Sequence, residues 1–161
     1  MFHGIAFLNF EKNQNIMKPL LVLLLSFSIS IIIQKLLNQD INYAFAGRLA
    51  LSVMLIFTTI GHFIFTEGMS KMIPRFIPLK KSIVVLTGFL ELLISLGIFI
   101  PKTRLLSGFG LIVFLILILP TNIKASIENL NYQTGSYDGN GPSYLWFRIP
   151  LRLFFLWFWR E

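Results

Sequence analysis

Apolar residues in this chain run in long blocks with few polar breaks, and the blocks have membrane length. They cover residues 19–37, 41–65, 82–100 and 105–123, and a fifth block, 143–159, is interrupted by Arg148, Pro150 and Arg152. About 20 apolar residues are needed to cross the hydrocarbon core as a helix. The pattern therefore predicts five transmembrane helices, the last kinked at its proline, with Tyr144, Trp146, Trp157 and Trp159 as aromatic anchors at its two ends. An all-α, polytopic membrane bundle is the expected fold class. Any helix crossing lipid must satisfy its own backbone, which excludes irregular lipid-exposed segments within these blocks.

The connections are short except in two places. Residues 67–81 hold Pro74 and Pro78, which block a continuous helix and predict a short, rigid re-entry segment at the membrane surface. Residues 124–142 form the one long polar stretch, and Asp138-Gly139 and Asn140-Gly141 in it are strong turn formers. Residues 1–17 mix Phe2, Ile5, Phe7 and Phe10 with polar residues, the pattern of a surface helix or a plain extension. The predicted organisation is an N-terminal segment at 1–18, a first transmembrane helix at 19–38 and a four-helix membrane domain at 41–161. Ala44-Phe45-Ala46 has the small-x-small form of a cleavage site but lies too far beyond the apolar stretch, so an uncleaved anchor is expected.

Polar residues inside the blocks fall on stripes. Arg48, Ser52, Leu55, Thr59 and His62 recur at helical spacing on the second block, and Thr87, Gly88, Glu91 and Ser95 do so on the third. Such stripes are costly against lipid and should face the bundle interior. Glu91 is the central feature, because a carboxylate at that depth must be paired, protonated or used. Counting depth at about 1.5 Å per residue puts Arg48 within an arginine's reach of Glu91, with Arg148 approaching from the other side. His62 and Asn122 are expected nearer the inner rim. The internal polar network predicted from the residues is thus Arg48, His62, Glu91, Asn122 and Arg148.

Each member also has a plain structural role. A Glu91–Arg48 pair would fix the packing of two helices, His62 would hydrogen-bond a carbonyl near a helix end, and Asn122, two residues after Pro120, would terminate its helix. Ser26, Ser28 and Ser30 are expected to bond back to carbonyls of their own helix.

Composition narrows the chemistry. Hydrophobic residues make up 55% and charged residues 13% of the 161 residues, far from the balance of a soluble domain. The net charge of +7 sits between the blocks rather than along one stripe, which fits topogenic and headgroup contacts and not nucleic-acid binding. Lys12, Lys18, Lys71, Arg75, Lys80 and Lys81 gather on one side, predicting a cytoplasmic amino terminus in the inner (plasma) membrane and, with five spans, an outward carboxyl terminus. With no cysteine, the chain has no thiolate, disulfide, iron-sulfur cluster or covalent haem of its own. A b-type haem is not expected either, since only His62 lies in a span, and no metal-ligating set is visible. Any redox chemistry would come from a bound molecule or a partner.

One ordered set of residues resembles a known family. Arg48, Gly61-His62-Phe63, Pro74 and Pro78, Gly88-Phe89-Leu90-Glu91, Gly97 with Pro101-Lys102-Thr103-Arg104, Pro120-Thr121-Asn122-Ile123 and Trp146-Phe147-Arg148-Ile149-Pro150-Leu151 are similar to the DoxX-like small membrane proteins across residues 45–159. The chain departs from that pattern at Thr121 and Arg152, where alanine and glutamine are usual. The resemblance implies a four-helix core with the first helix as an addition. It also implies a place beside membrane redox complexes, because the family takes its name from a subunit of a thiosulfate:quinone oxidoreductase, while a vertebrate relative acts in receptor assembly.

Two functions follow as expectations. The first is an accessory or ligand-binding subunit of a membrane redox system, with an internal polar site for a quinone-like or lipid molecule and a membrane oxidoreductase as partner. The second is a non-catalytic membrane protein that binds lipid or assists assembly of a partner protein. Transport is a weaker third option, since no inverted repeat is visible.

Overall fold

The computed structural model describes residues 2–139 and 141, with backbone alone for residues 2–17. The described residues are all helical or irregular, with no strand. The predicted fifth span at 143–159, and Arg148 with it, lies outside them.

The first helix, α1, runs without a break from Phe2 to Leu36. No boundary separates the N-terminal segment from the first span, even though Pro19 sits inside the helix. The membrane-length part is Lys18–Leu36. It presents Leu23, Ser30 and Gln34 inward and exposes most of its other apolar residues, as a helix wrapped in lipid should. Ser26 donates back to the Val22 carbonyl at 2.7 Å, as expected. The link to α2 is anchored by Gln34, whose Oε1 accepts from the Asn42 amide at 2.7 Å.

Helix α2, Tyr43–Ile64, begins where Asn42 caps it by accepting from the Phe45 amide at 2.9 Å. It is the central helix, packed on α1 on one side and on α4 on the other. A two-turn helix, α3 (Thr66–Met72), follows and ends ahead of Pro74. The stretch predicted as a rigid re-entry segment is therefore helical over its first part and irregular only from Ile73 to Leu79, where both prolines lie.

Helix α4, Lys80–Phe99, antiparallel to α2, packs on α2 and on α5. The fourth apolar block folds as two pieces, α5 (Arg104–Leu117) and α6 (Leu119–Ile127). Pro120 explains the break, because it has no amide to continue the α5 ladder and instead occupies the first turn of a new helix. Having started there, α6 continues to Ile127, so the polar loop begins four residues later than the sequence suggests.

Among the described residues four helical stretches are long and apolar enough to cross a membrane: Lys18–Leu36, Tyr43–Ile64, Lys80–Phe99 and Arg104–Ile127, the last formed by α5 and α6 together. Of these α2 is the least hydropathic, at a mean of 1.7, and the most enclosed, so the polar stripe falls on the helix with most protein neighbours.

Among the described residues two apolar clusters hold the bundle. The larger joins Leu23, Ala50, Leu51, Met54, Leu55, Ile98, Leu111 and Phe114. The smaller joins Met72, Ala125 and Leu130, under a cap formed by α3 and the loop after α6. In that cap Lys71 donates to the Gly135 carbonyl at 2.8 Å, Lys124 donates to the Lys71 carbonyl at 2.7 Å, and Gly68 lies directly against the Tyr132 carbonyl.

Candidate functional site

Contacts between α2 and α4 set their relative register. Ser52 donates to the Ser95 carbonyl at 3.0 Å, and Thr59 donates to the Gly88 carbonyl at 3.4 Å. Seven residues along one helix thus match seven back along the other. The two stripes do face each other: Ser52, Leu55 and Thr59 are buried on α2, and Gly88, Glu91 and Ser95 on α4.

Glu91 is 6% exposed, and its partner on α2 is His62, with Nε2 to Oε2 at 3.5 Å. The two Cα atoms are offset along the bundle, His62 lying some six residues, roughly 9 Å, nearer the cap. Side chains on a helix tilt toward its N-terminus. His62 therefore leans away from the cap and Glu91 toward it, and the tips meet near the level of Thr59 and Gly88. Gly88 makes room for this, since a Cβ there would stand 2.9 Å from His62 Cβ.

The same tilt corrects the expected Arg48–Glu91 pair. By the register, Arg48 falls opposite the Phe99 end of α4, about eight residues, roughly 12 Å, from Glu91. It also leans farther out, toward Tyr43. Among the described residues Arg48 makes no ion pair with Glu91, and its charged neighbour is Arg104 at the start of α5. Depth alone had suggested the pairing; direction forbids it.

Asn122 is 2% exposed and donates through Nδ2 to the Ile118 carbonyl at 2.9 Å. It sits in the first turn of α6 and not at the end of a span, so its expected role as a terminator is replaced by one at the α5–α6 break, where its side chain, its own amide and Thr121 Oγ1 all converge on the Ile118 carbonyl. Arg148, the remaining member of the predicted network, is outside the described residues.

The proton arrangement of the His62–Glu91 pair follows from its neighbours. His62 Nδ1 lies 3.2 Å from the Val84 carbonyl and 3.2 Å from Thr87 Oγ1. Thr87 itself donates to the Val84 carbonyl at 2.8 Å, which uses its one hydrogen. Both groups around Nδ1 are thus acceptors toward it, so Nδ1 carries the hydrogen. A neutral ring then turns the Nε2 lone pair toward a carboxylate oxygen, and two acceptors repel. A proton on the pair, whether as imidazolium beside carboxylate or as imidazole beside carboxylic acid, makes the contact attractive. Thr87 and the Val84 carbonyl were not expected as partners; the signal was present, since Thr87 lies on the Glu91 stripe one turn before it.

The lipid side of this pair is aromatic. Phe63 and Phe89 follow His62 and Gly88 in sequence, are exposed at the bundle surface, and meet edge to face with ring centroids 5.3 Å apart. Glu91 and its histidine partner therefore lie beside an aromatic patch on the bundle surface.

These features define an all-helical, multi-pass membrane protein with a histidine–carboxylate pair inside its helix bundle. Residues 51–160 match a family model described as a domain of unknown function, DUF8561, and the chain belongs to that family. No curated protein and no solved structure matches it.

Proposed function

We propose that this chain is an accessory or ligand-binding subunit of a membrane redox system, holding a quinone-like molecule at the His62–Glu91 pair. The DoxX-like resemblance, the inner-membrane location and the cytoplasmic amino terminus belong to the same reading. The observation that carries it is the proton bookkeeping. With Nδ1 facing the Val84 carbonyl and Thr87 Oγ1, the His62–Glu91 contact offers a place for one proton inside the bundle, next to aromatic rings exposed at its surface. A quinone needs an apolar approach, a hydrogen-bond donor for its oxygen and a proton source when it is reduced. Electrons would come from a partner oxidoreductase, because the chain has no cysteine for a thiol, iron-sulfur or covalent haem couple.

The test is extraction. Protein purified in mild detergent is analysed by mass spectrometry for quinones and lipids enriched over the micelle background, and again as Glu91→Gln and His62→Ala. The reading expects one enriched species in the wild type, lost in both variants while each still folds. If the wild type enriches nothing, the reading fails.

A second reading is favoured by one specific observation. The pair continues a row of interhelical polar contacts, Ser52 to Ser95 and Thr59 to Gly88, that pins α2 to α4. A non-catalytic protein that binds lipid or assists assembly of a partner would use such a row for packing alone. It expects Glu91→Gln to lower stability with no bound molecule to lose.

A further inference from the structure

The end of the bundle away from the cap carries a second concentration of charge. Arg48 and Arg104 are both half-buried there and close enough for their charges to act on each other. Their positions follow from separate contacts. Arg104 Nε donates to the Ile98 carbonyl at 3.3 Å, which lays the guanidinium against the last turn of α4. Arg48 reaches the same turn through the α2–α4 register, one helical turn beyond the Ser52–Ser95 contact.

Two cations so placed repel, and nothing described neutralises them. Among the described residues Arg48 has no hydrogen-bond partner, and the only bond described for Arg104 is the one through Nε. Asp40 is the one described carboxylate at this end, and it is exposed and outside every ion pair; Lys35 and Lys102 add further positive charge. The carbonyls of α4's last turn offset part of it, but Thr103 Oγ1 already bonds the Gly97 carbonyl at 3.0 Å. Arg104 also opens α5, where the amide dipoles disfavour a cation and favour an anion.

We propose that Arg48 and Arg104 together bind a phosphate oxyanion at this end of the bundle. Arg48 starts about 8 Å below the end of α2 and leans outward, so its fork reaches headgroup depth, as a snorkelling arginine does. Two planar guanidiniums at the last turn of α4 suit a tetrahedral oxyanion, which can accept paired hydrogen bonds from each. A phospholipid headgroup or a soluble phosphate supplies the same chemistry. This site is independent of the His62–Glu91 pair and of any reading of it.

The whole protein, delipidated in detergent, is titrated in one arm with phosphatidylglycerol and followed by native mass spectrometry. In the other arm it is titrated with inorganic phosphate and followed by thermal shift. Binding in the first arm that weakens roughly tenfold or more in Arg48→Gln and in Arg104→Gln, with Lys102→Gln unchanged, supports a lipid-headgroup site. The same dependence in the second arm alone supports a site for the free anion. Equal loss in Lys102→Gln reduces the effect to diffuse charge and overturns the proposal, as does a wild type that binds neither probe. Should Arg48→Gln not fold, Arg48→Lys keeps the charge without the planar fork and should bind severalfold more weakly. Wild-type binding in both Arg48→Lys and Arg104→Gln overturns the site.

Discussion

His62 and Arg48 lie on one face of α2 and lean the same way along it, yet they meet different partners. His62 meets Glu91 at 3.5 Å; Arg48, half-buried near the start of α2, has Arg104 as its charged neighbour. Both obey the same rule, that a helical side chain leans toward its own N-terminus. Between antiparallel helices the rule brings together residues that lie past each other and separates those that fall short. Glu91 leans toward the cap, so only a residue nearer the cap on α2 can meet it. Depth in the membrane is therefore a poor guide to pairing unless helix direction is counted with it.

Gly88→Val is the severest way to break the His62 half of this comparison. A Cβ there already stands 2.9 Å from His62 Cβ, and a branched side chain must displace either the ring or the whole of α2. Overpacking of this kind costs about 1–3 kcal/mol. Thermal unfolding in detergent should show that loss together with loss of any molecule held at the pair. Phosphate binding at Arg48 and Arg104, roughly 21 Å away along α2, should persist. A fall in both would mean that the two ends are coupled through α2.

The fold was largely legible because the bilayer leaves a chain few choices. Four apolar blocks had to become helices, and their limits agree with α1, α2, α4 and the α5–α6 pair to within a few residues at most ends. The exceptions have local causes. Pro120 was visible in the sequence, but reading it as part of one span missed that it starts α6, and this moved both the loop boundary and the role of Asn122. The stripes were legible because a polar residue facing lipid is costly, and Ser52, Thr59, Glu91 and Ser95 are all buried as that argument requires. What one sequence does not encode visibly is register. Choosing His62 over Arg48 for Glu91 depends on which residue of α2 stands opposite which of α4, and that is fixed by contacts such as Ser52 with the Ser95 carbonyl.

Double-mutant cycles sharpen the comparison directly. His62→Phe and Glu91→Gln, alone and together, should show a coupling of about 1 kcal/mol, within the range of interhelical polar contacts in membranes. Arg48→Gln combined with Glu91→Gln should be additive to within about 0.5 kcal/mol, since roughly 12 Å of helix separates the positions. Reversed couplings, strong for Arg48 and absent for His62, would refute the register described here.

The smallest expected effect falls on the residue between the two regions. Ser52 lies one turn from Arg48 on the shared face and is fully enclosed, with Oγ donating to the Ser95 carbonyl at 3.0 Å. Ser52→Ala removes that donor and leaves a carbonyl within the body of α4, where the helical ladder supplies an acceptor's usual partner. The loss should therefore be close to the membrane average of about 0.6 kcal/mol, and not the larger penalty of an orphaned group. Thermal unfolding of this variant should keep both the His62–Glu91 coupling and the phosphate response, because Thr59 to Gly88 still pins the helices nearer the cap. Loss of the His62–Glu91 coupling in Ser52→Ala would show that one buried hydroxyl holds the register, making Ser52 the hinge on which the divergence of His62 and Arg48 depends.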